Sequence, residues 1–141
     1  MDLKKYEKID IASQMLETAL SLFIEGKDYF SALQIAGACE EIFGKYLQLN
    51  GVETSLESNA KTFISMKKNL SGIDSTVKDT INSLNKSKNS IKHMNDSSDT
   101  FVIMDPTGEA YDTLDRAIEN WWKFGKSSTP LINKFLDYYD K

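Results

Sequence analysis

The chain has 141 residues, of which 40% are hydrophobic and 27% are charged, and its formal net charge at pH 7 is −4. This composition fits one compact domain over residues 1–141, and the single cysteine, Cys39, excludes a disulfide-stapled scaffold. The sequence shows no secretory signal and no apolar run long enough to cross a membrane. We therefore expect a cytoplasmic protein without a membrane partner.

Two amphipathic helices are predicted first. Apolar residues recur at intervals of three and four from about Leu3 to Ile24, and Gly26 follows as a residue that easily adopts the left-handed conformation of a helix end. Asp28 is a good N-cap for a second helix, which continues to the stop signal Asn50-Gly51.

Two glycines, Gly37 and Gly44, lie seven residues apart on one face of the second helix. Glycine costs about 1 kcal/mol in a helix interior relative to alanine, so we expect another backbone to approach this face closely. The same face supports one functional alternative, in which the protein is a structural helical adaptor that assembles through it.

A third and a fourth helix are predicted after a polar loop from Val52 to Ser58. The third runs from about Asn59 to Asn69, and the fourth starts from Asp74 as its cap and runs to about Met94 or Asn95. The apolar face of the fourth helix is formed by Val77, Ile81, Leu84, Ile91 and Met94. Lys88 falls on this face, so its side chain is expected to snorkel outward or to point into an interface or a cleft.

The last part of the chain opens with an irregular loop from Asp96 to Met104, whose apolar end is predicted to be a brief strand or a packed loop. Asp105-Pro106 then opens a fifth helix that runs up to Gly125, and Thr129-Pro130 opens a sixth. Several aromatic residues at helical spacing are expected in the core rather than on a base-stacking surface: Trp121, Trp122, Phe124, Phe135 and Tyr139. The predicted fold class is all-α, an antiparallel bundle of about five to six helices with a short irregular loop before helix 5.

The charges are unevenly distributed along the chain. Between Ala60 and Met94, seven lysines stand against two aspartates, a local balance of plus five, so the remainder carries minus nine. The net negative charge argues against nucleic acid as a partner, but this asymmetry allows one basic face on an acidic protein. The alternative is a lysine-rich helix that is simply solvated.

The candidate chemistry centres on the only histidine, His93, and on Lys88 and Asn89 before it. Histidine exchanges protons near neutral pH, and a neighbouring lysine can stabilise a developing oxyanion, as chemistry on a phosphate requires. In a continuous helix Asn89 would lie one turn from His93 and could orient it, whereas Lys88 would point about 140° away. The alternative is a surface histidine that interacts with the dipole at the helix C-terminus.

This spacing resembles a known signature. Lys88-Asn89-x-x-x-His93 is similar to the Arg-polar-x-x-x-His motif of the HEPN superfamily of helical-bundle proteins, with lysine in place of arginine. The segment from Tyr29 to Leu47 also resembles the alanine-rich second helix of that superfamily. Together the two resemblances cover about half of the chain.

The resemblance implies a bundle that forms a homodimer through its motif-bearing helices, with a composite cleft between the subunits. In active members the motif resembles a metal-independent ribonuclease site. Here His93 would act as general acid or base, Lys88 would stabilise the phosphate charge and Asn89 would position groups. Many relatives are non-catalytic and bind RNA, a nucleotide or a partner protein, often a nucleotidyltransferase from a toxin–antitoxin pair.

Because lysine lacks the planar fork of arginine, a non-catalytic module that binds RNA, a nucleotide or a partner protein through the helix 4 cleft ranks above the ribonuclease. The expected ligand-binding residues are Lys92, Asn85 and Glu41. Glu40 or Glu41 is also a candidate to pair with Lys88 or His93, the alternative being a solvated helix charge. We expect no cofactor and no metal, because the sequence has neither a glycine-rich phosphate loop nor an ordinary set of zinc ligands.

Overall fold

The computed structural model describes residues 1–138 and residue 140, and these residues form an all-α helical bundle. The fold class is therefore as predicted, although the described residues contain seven helices rather than five or six. Their bounds are α1 (Lys8–Glu25), α2 (Tyr29–Leu49), α3 (Ser55–Ser71), α4 (Val77–Leu84), α5 (Lys86–Lys92), α6 (Pro106–Lys123) and α7 (Pro130–Leu136).

The core forms around α2, which packs most extensively against α6 and α1. Small residues of α2 allow this close packing, and the larger core side chains come from all four helices that meet there: Leu16, Leu20, Phe23, Leu33, Phe43, Leu114, Ile118, Ile132 and Phe135. The aromatic prediction is right in part. Phe135 is buried and Trp121 and Phe124 are half-buried against Phe43, whereas Trp122 is 39% exposed. Tyr139 lies outside the described residues.

Several predicted helix ends are confirmed. Gly26 ends α1 with φ 65°, in the left-handed region that glycine adopts at little cost. The Asp28 carboxylate accepts a hydrogen bond from the Ser31 N–H at the start of α2, and Thr129 does the same for Ile132 at the start of α7. The first helix, however, begins only at Lys8, so the residues from Leu3 onward that precede it are not helical.

The third helix begins earlier than predicted, at Ser55, because Thr54 and Glu57 form a capping box. The Thr54 hydroxyl accepts from the Glu57 N–H, and the Glu57 carboxylate accepts from the Thr54 N–H, so two otherwise unpaired donors are satisfied. Asp74 was the wrong cap for the next helix. The cap is Thr76, whose side chain accepts from the Asp79 N–H.

The predicted fourth helix is interrupted at Asn85, which ends α4 and precedes α5. Asn85 has φ −89° and ψ −5°, and its buried side-chain oxygen has no hydrogen-bond partner. The helix then ends at Lys92, before His93. After this break α5 packs against α2, where the candidate site lies.

The apolar end of the next loop is not a strand, and of its four apolar residues only Met104 packs against the core. Phe101 is 88% exposed and Ile103 is 103% exposed. The loop is held at its start, where the Asp99 carboxylate accepts from the Asn95 N–H and the Asp96 carboxylate accepts from the Ser98 N–H. The hydrogen bonds from Ser98 lower the pKa of Asp96 below its ordinary value.

The two glycines of α2 make room for side chains rather than for another backbone. A Cβ at Gly37 would lie 2.9 Å from Cδ of Lys88, and a Cβ at Gly44 would lie 3.4 Å from Cγ2 of Thr54. The expected backbone approach was therefore wrong. Assembly of an adaptor through this face would require both covering side chains to move away.

Candidate functional site

The site is built around Lys88, which α5 directs inward against α2. Its side chain is only 7% exposed, and its aliphatic stem packs over the gap that Gly37 leaves. Of the two outcomes expected for Lys88, outward snorkelling and an inward position, the structure shows the inward position. Glycine at position 37 is what allows this, because the Cβ of any other residue would come too close to the stem.

The ammonium of Lys88 faces Glu41, with 2.8 Å between Nζ and Oε1. The two groups are within ion-pair distance but are not aligned as a hydrogen bond, so Nζ is buried with no hydrogen-bond partner. The Glu41 side chain is 56% exposed. Of the predicted pairings, Glu41 with Lys88 is therefore the one that forms, and it joins a buried cation to a carboxylate that reaches solvent.

Glu40 does not take part in this site. It lies about 100° around α2 from Glu41, and its carboxylate accepts hydrogen bonds from Arg116 of α6 at 2.9 and 3.4 Å. Both side chains of this ion pair are nearly fully buried, at 3% and 6% exposure. The pair was not predicted, because nothing in the sequence indicates that residues 76 positions apart face each other.

A small groove with a volume of about 70 Å³ adjoins the Lys88 side chain. We call it the Lys88 groove, and it is lined by Gln34, Gly37, Ala38, Glu41, Lys88 and Lys92. Two of the predicted ligand-binding residues, Glu41 and Lys92, therefore lie together with Lys88. Asn85 and Asn89 do not line this groove.

A larger pocket of about 580 Å³ adjoins the groove, and the two share Gln34 and Lys92. We call it the His93 pocket; it lies between the start of α2, the end of α5 and the following loop. Its lining residues are Phe30, Ser31, Gln34, Ser90, Ile91, Lys92, His93, Met94, Asp99, Thr100, Phe101 and Val102.

His93 itself is exposed and has an extended backbone, with φ −129° and ψ 144°. Since α5 ends one residue earlier, the helical relation that would let Asn89 orient the imidazole does not exist. Asn89 is exposed and lines neither the groove nor the pocket. The structure thus places Lys88 and His93 at adjoining depressions and leaves Asn89 outside both.

Two phenyl rings of the pocket were not predicted as site residues. Phe30, in the first turn of α2, is 50% exposed, and Phe101 is 88% exposed. A signal for Phe30 exists in the sequence, because Phe30, Gln34 and Glu41 are spaced so that they share one face of α2. The position of Phe101 depends on the fold of the loop and has no such signal.

The basic segment between Ala60 and Met94 is partly neutralised within the chain. Lys61 lies 3.3 Å from Glu53 and Lys68 lies 3.4 Å from Asp74, and both pairs are at the surface. Within the described residues, the lysines of this segment that form no ion pair are Lys67, Lys78, Lys86 and Lys92. Lys92 is the one that lines the site.

No protein-family model, curated protein or solved structure matches this chain. Across residues 1–138 and residue 140, no three His, Cys, Asp or Glu side chains come together as a metal site. In the same part of the chain, no helix has the length and apolar character needed to cross a bilayer.

Proposed function

We propose that the protein is a non-catalytic, HEPN-like module that binds single-stranded RNA through the His93 pocket and the Lys88 groove. The observation that carries this proposal is the lining of one pocket by two exposed phenyl rings, Phe30 and Phe101, together with Lys92 and His93. Proteins that bind single strands combine aromatic faces for the bases with cations for the backbone.

The size of the pocket supports this ligand. The pocket is an open depression of about 580 Å³, which has room for a nucleotide. Stacking of a base on an aromatic side chain contributes about 1–3 kcal/mol and tolerates any base. Lys92 lies where the pocket meets the groove, and it can reach a phosphate from either side.

The state of Lys88 favours binding over catalysis. A catalytic phosphate stabiliser must direct its charge at the group on which the general acid or base acts, but Lys88 lines the groove and not the His93 pocket. The imidazole of His93 has no hydrogen bond from a neighbouring side chain within the described residues, so nothing there fixes its orientation. The proposal includes a cytoplasmic homodimer and a nucleotidyltransferase-type partner, which the resemblance to the HEPN superfamily supports.

The test is isothermal titration calorimetry, in which a short oligouridylate is titrated into the wild-type protein and into each variant. Phe101→Ala and Lys92→Ala should each weaken RNA binding about tenfold or more. In the Lys92 variant the RNA affinity should also depend less on the salt concentration. Lys78→Ala, an exposed lysine that lines neither depression, is the matched control and should bind as the wild type does. Equal affinities for all four proteins would refute the proposed surface.

A metal-independent ribonuclease is the second candidate, because His93 is exposed and Lys88 lies in the adjoining groove. This candidate predicts RNA cleavage in EDTA that leaves cyclic phosphate ends and is lost in His93→Ala. Cleavage by the wild type alone would establish it. Cleavage that persists in the variant, or no cleavage at high protein concentration, would rule it out.

A further inference from the structure

The Lys88 groove contains a buried cation, which binding of a continuous RNA backbone does not require. The groove holds a cation that is more than nine-tenths buried and has no hydrogen-bond partner, although it lies beside a carboxylate. Burial of an ammonium is costly unless its donors are satisfied. Glu41 at 2.8 Å offsets the charge of Lys88, and the ammonium donors that it leaves unpaired can bind a ligand that supplies acceptors.

We propose that the Lys88 groove receives a terminal phosphate of the bound RNA, a phosphomonoester that replaces Glu41 as the counter-ion of Lys88. This inference rests on the proposed function and adds the recognition of an RNA end to it. The bases occupy the His93 pocket, and the phosphate lies beyond Lys92, where the pocket and the groove meet.

The volume of the groove agrees with a group of this size. One water-sized sphere takes about 10–15 Å³ on the same measure, so about 70 Å³ holds five to seven such spheres. A phosphate group has five heavy atoms, whereas a nucleoside is several times larger. The groove is thus large enough for a phosphate.

The donors around the groove also suit a phosphomonoester. Lys88 and Lys92 supply two ammonium groups, and Gln34 supplies an amide N–H donor. Near neutral pH a monoester carries almost two negative charges, which two lysines can neutralise, whereas a backbone diester carries one. Glu41 is 56% exposed, so it returns to solvent easily when the phosphate displaces it.

The experiment compares three forms of one short oligouridylate by isothermal titration calorimetry: with a 5′-phosphate, with a 3′-phosphate, and with hydroxyl groups at both ends. The wild type should bind one of the phosphorylated forms about tenfold or more tighter than the hydroxyl form. The form that binds tighter shows which end of the RNA enters the groove. The preference should decrease as the pH falls below about 6, where the monoester gains its second proton.

Three variants separate the groove from the pocket. Lys88→Met should lose the preference for the phosphate, so that this variant binds all three RNA forms with one affinity, while Lys78→Met should behave as the wild type does. Glu41→Gln removes the competing carboxylate and should increase the preference several-fold. Glu41→Gln keeps the test decisive if Lys88→Met does not fold. Circular dichroism shows whether Lys88→Met folds.

The outcomes also separate this inference from the proposed function. If all three RNA forms bind the wild type equally, or if Glu41→Gln leaves the preference unchanged, the terminal-phosphate site is refuted and RNA binding through the pocket stands. If no form binds, both proposals fail.

Discussion

Replacement of Glu40 by alanine should destabilise the fold strongly, although the residue lies outside the candidate site. The carboxylate of Glu40 accepts two hydrogen bonds from Arg116, and the two side chains are only 3% and 6% exposed. In Glu40→Ala the guanidinium stays buried with one remaining side-chain partner, the Thr113 hydroxyl at 3.4 Å. Removal of one partner of a buried ion pair lowers the free energy of unfolding by about 3–5 kcal/mol. This is a large part of the roughly 5–15 kcal/mol by which a typical domain is stable.

Urea unfolding followed by circular dichroism at 222 nm measures this loss directly. Glu25→Ala is the matched control, because Glu25 pairs with Lys27 at the surface and its loss should change the free energy of unfolding by less than about 0.5 kcal/mol. The double variant Glu40→Met/Arg116→Met should recover most of the stability, since no charge is then left buried. The reasoning is refuted if Glu40→Ala is as mild as the control, or if the double variant is the least stable of the three.

Three further predictions concern other parts of the fold. Thr54→Ala removes the capping box of α3 and should lower the free energy of unfolding by about 1 kcal/mol in the same urea assay; no change would contradict the role of the cap. Burial raises the pKa of Cys39 to about 12, and its thiol donates to the Ala12 carbonyl at 3.2 Å, so Ellman's reagent should label it only on unfolding; labelling within seconds in native buffer would contradict this. Burial, with help from Glu119 and Asp112, raises the pKa of Asp115. The folded state then binds more protons than the unfolded state as the pH falls through this raised value. Asp115→Asn should therefore raise the melting temperature at pH 7, with a difference that disappears below the ordinary pKa of 3.8; an equal gain at pH 3 and pH 7 would contradict this reasoning.

The parts of the fold that depend on local chemistry were predictable from the sequence. Asp28 and Thr129 precede apolar periodic segments, and each caps the helix that follows. The capping box of Thr54 and Glu57 has an equally clear signature, because Thr-x-x-Glu is a known helix start, although the polar composition of this segment predicts a loop. At the fourth helix two capping residues compete within three positions, and Thr76 prevails over Asp74 because the apolar period begins directly after it.

The candidate site could be predicted only in part, because its geometry depends on contacts between distant segments. The position of Lys88 on an apolar face predicts either outward snorkelling or an inward position, and the structure shows the inward position. The break at Asn85 and the early end of α5 mean that Lys88 and His93 do not share one continuous helix. Neither position has a proline or glycine that would predict a helix end. The position of Phe101 beside His93 likewise follows from the path of the loop and not from any periodicity.

The central claim is that RNA binds at the His93 pocket and the adjoining groove. The most direct test is nuclear magnetic resonance of the ¹⁵N-labelled protein during titration with the same oligouridylate. The account predicts that the largest amide shifts occur at Phe30, Lys92, His93 and Phe101, with saturation at a single affinity. Shifts confined to α3 and α4, or no shifts at saturating RNA, would contradict it.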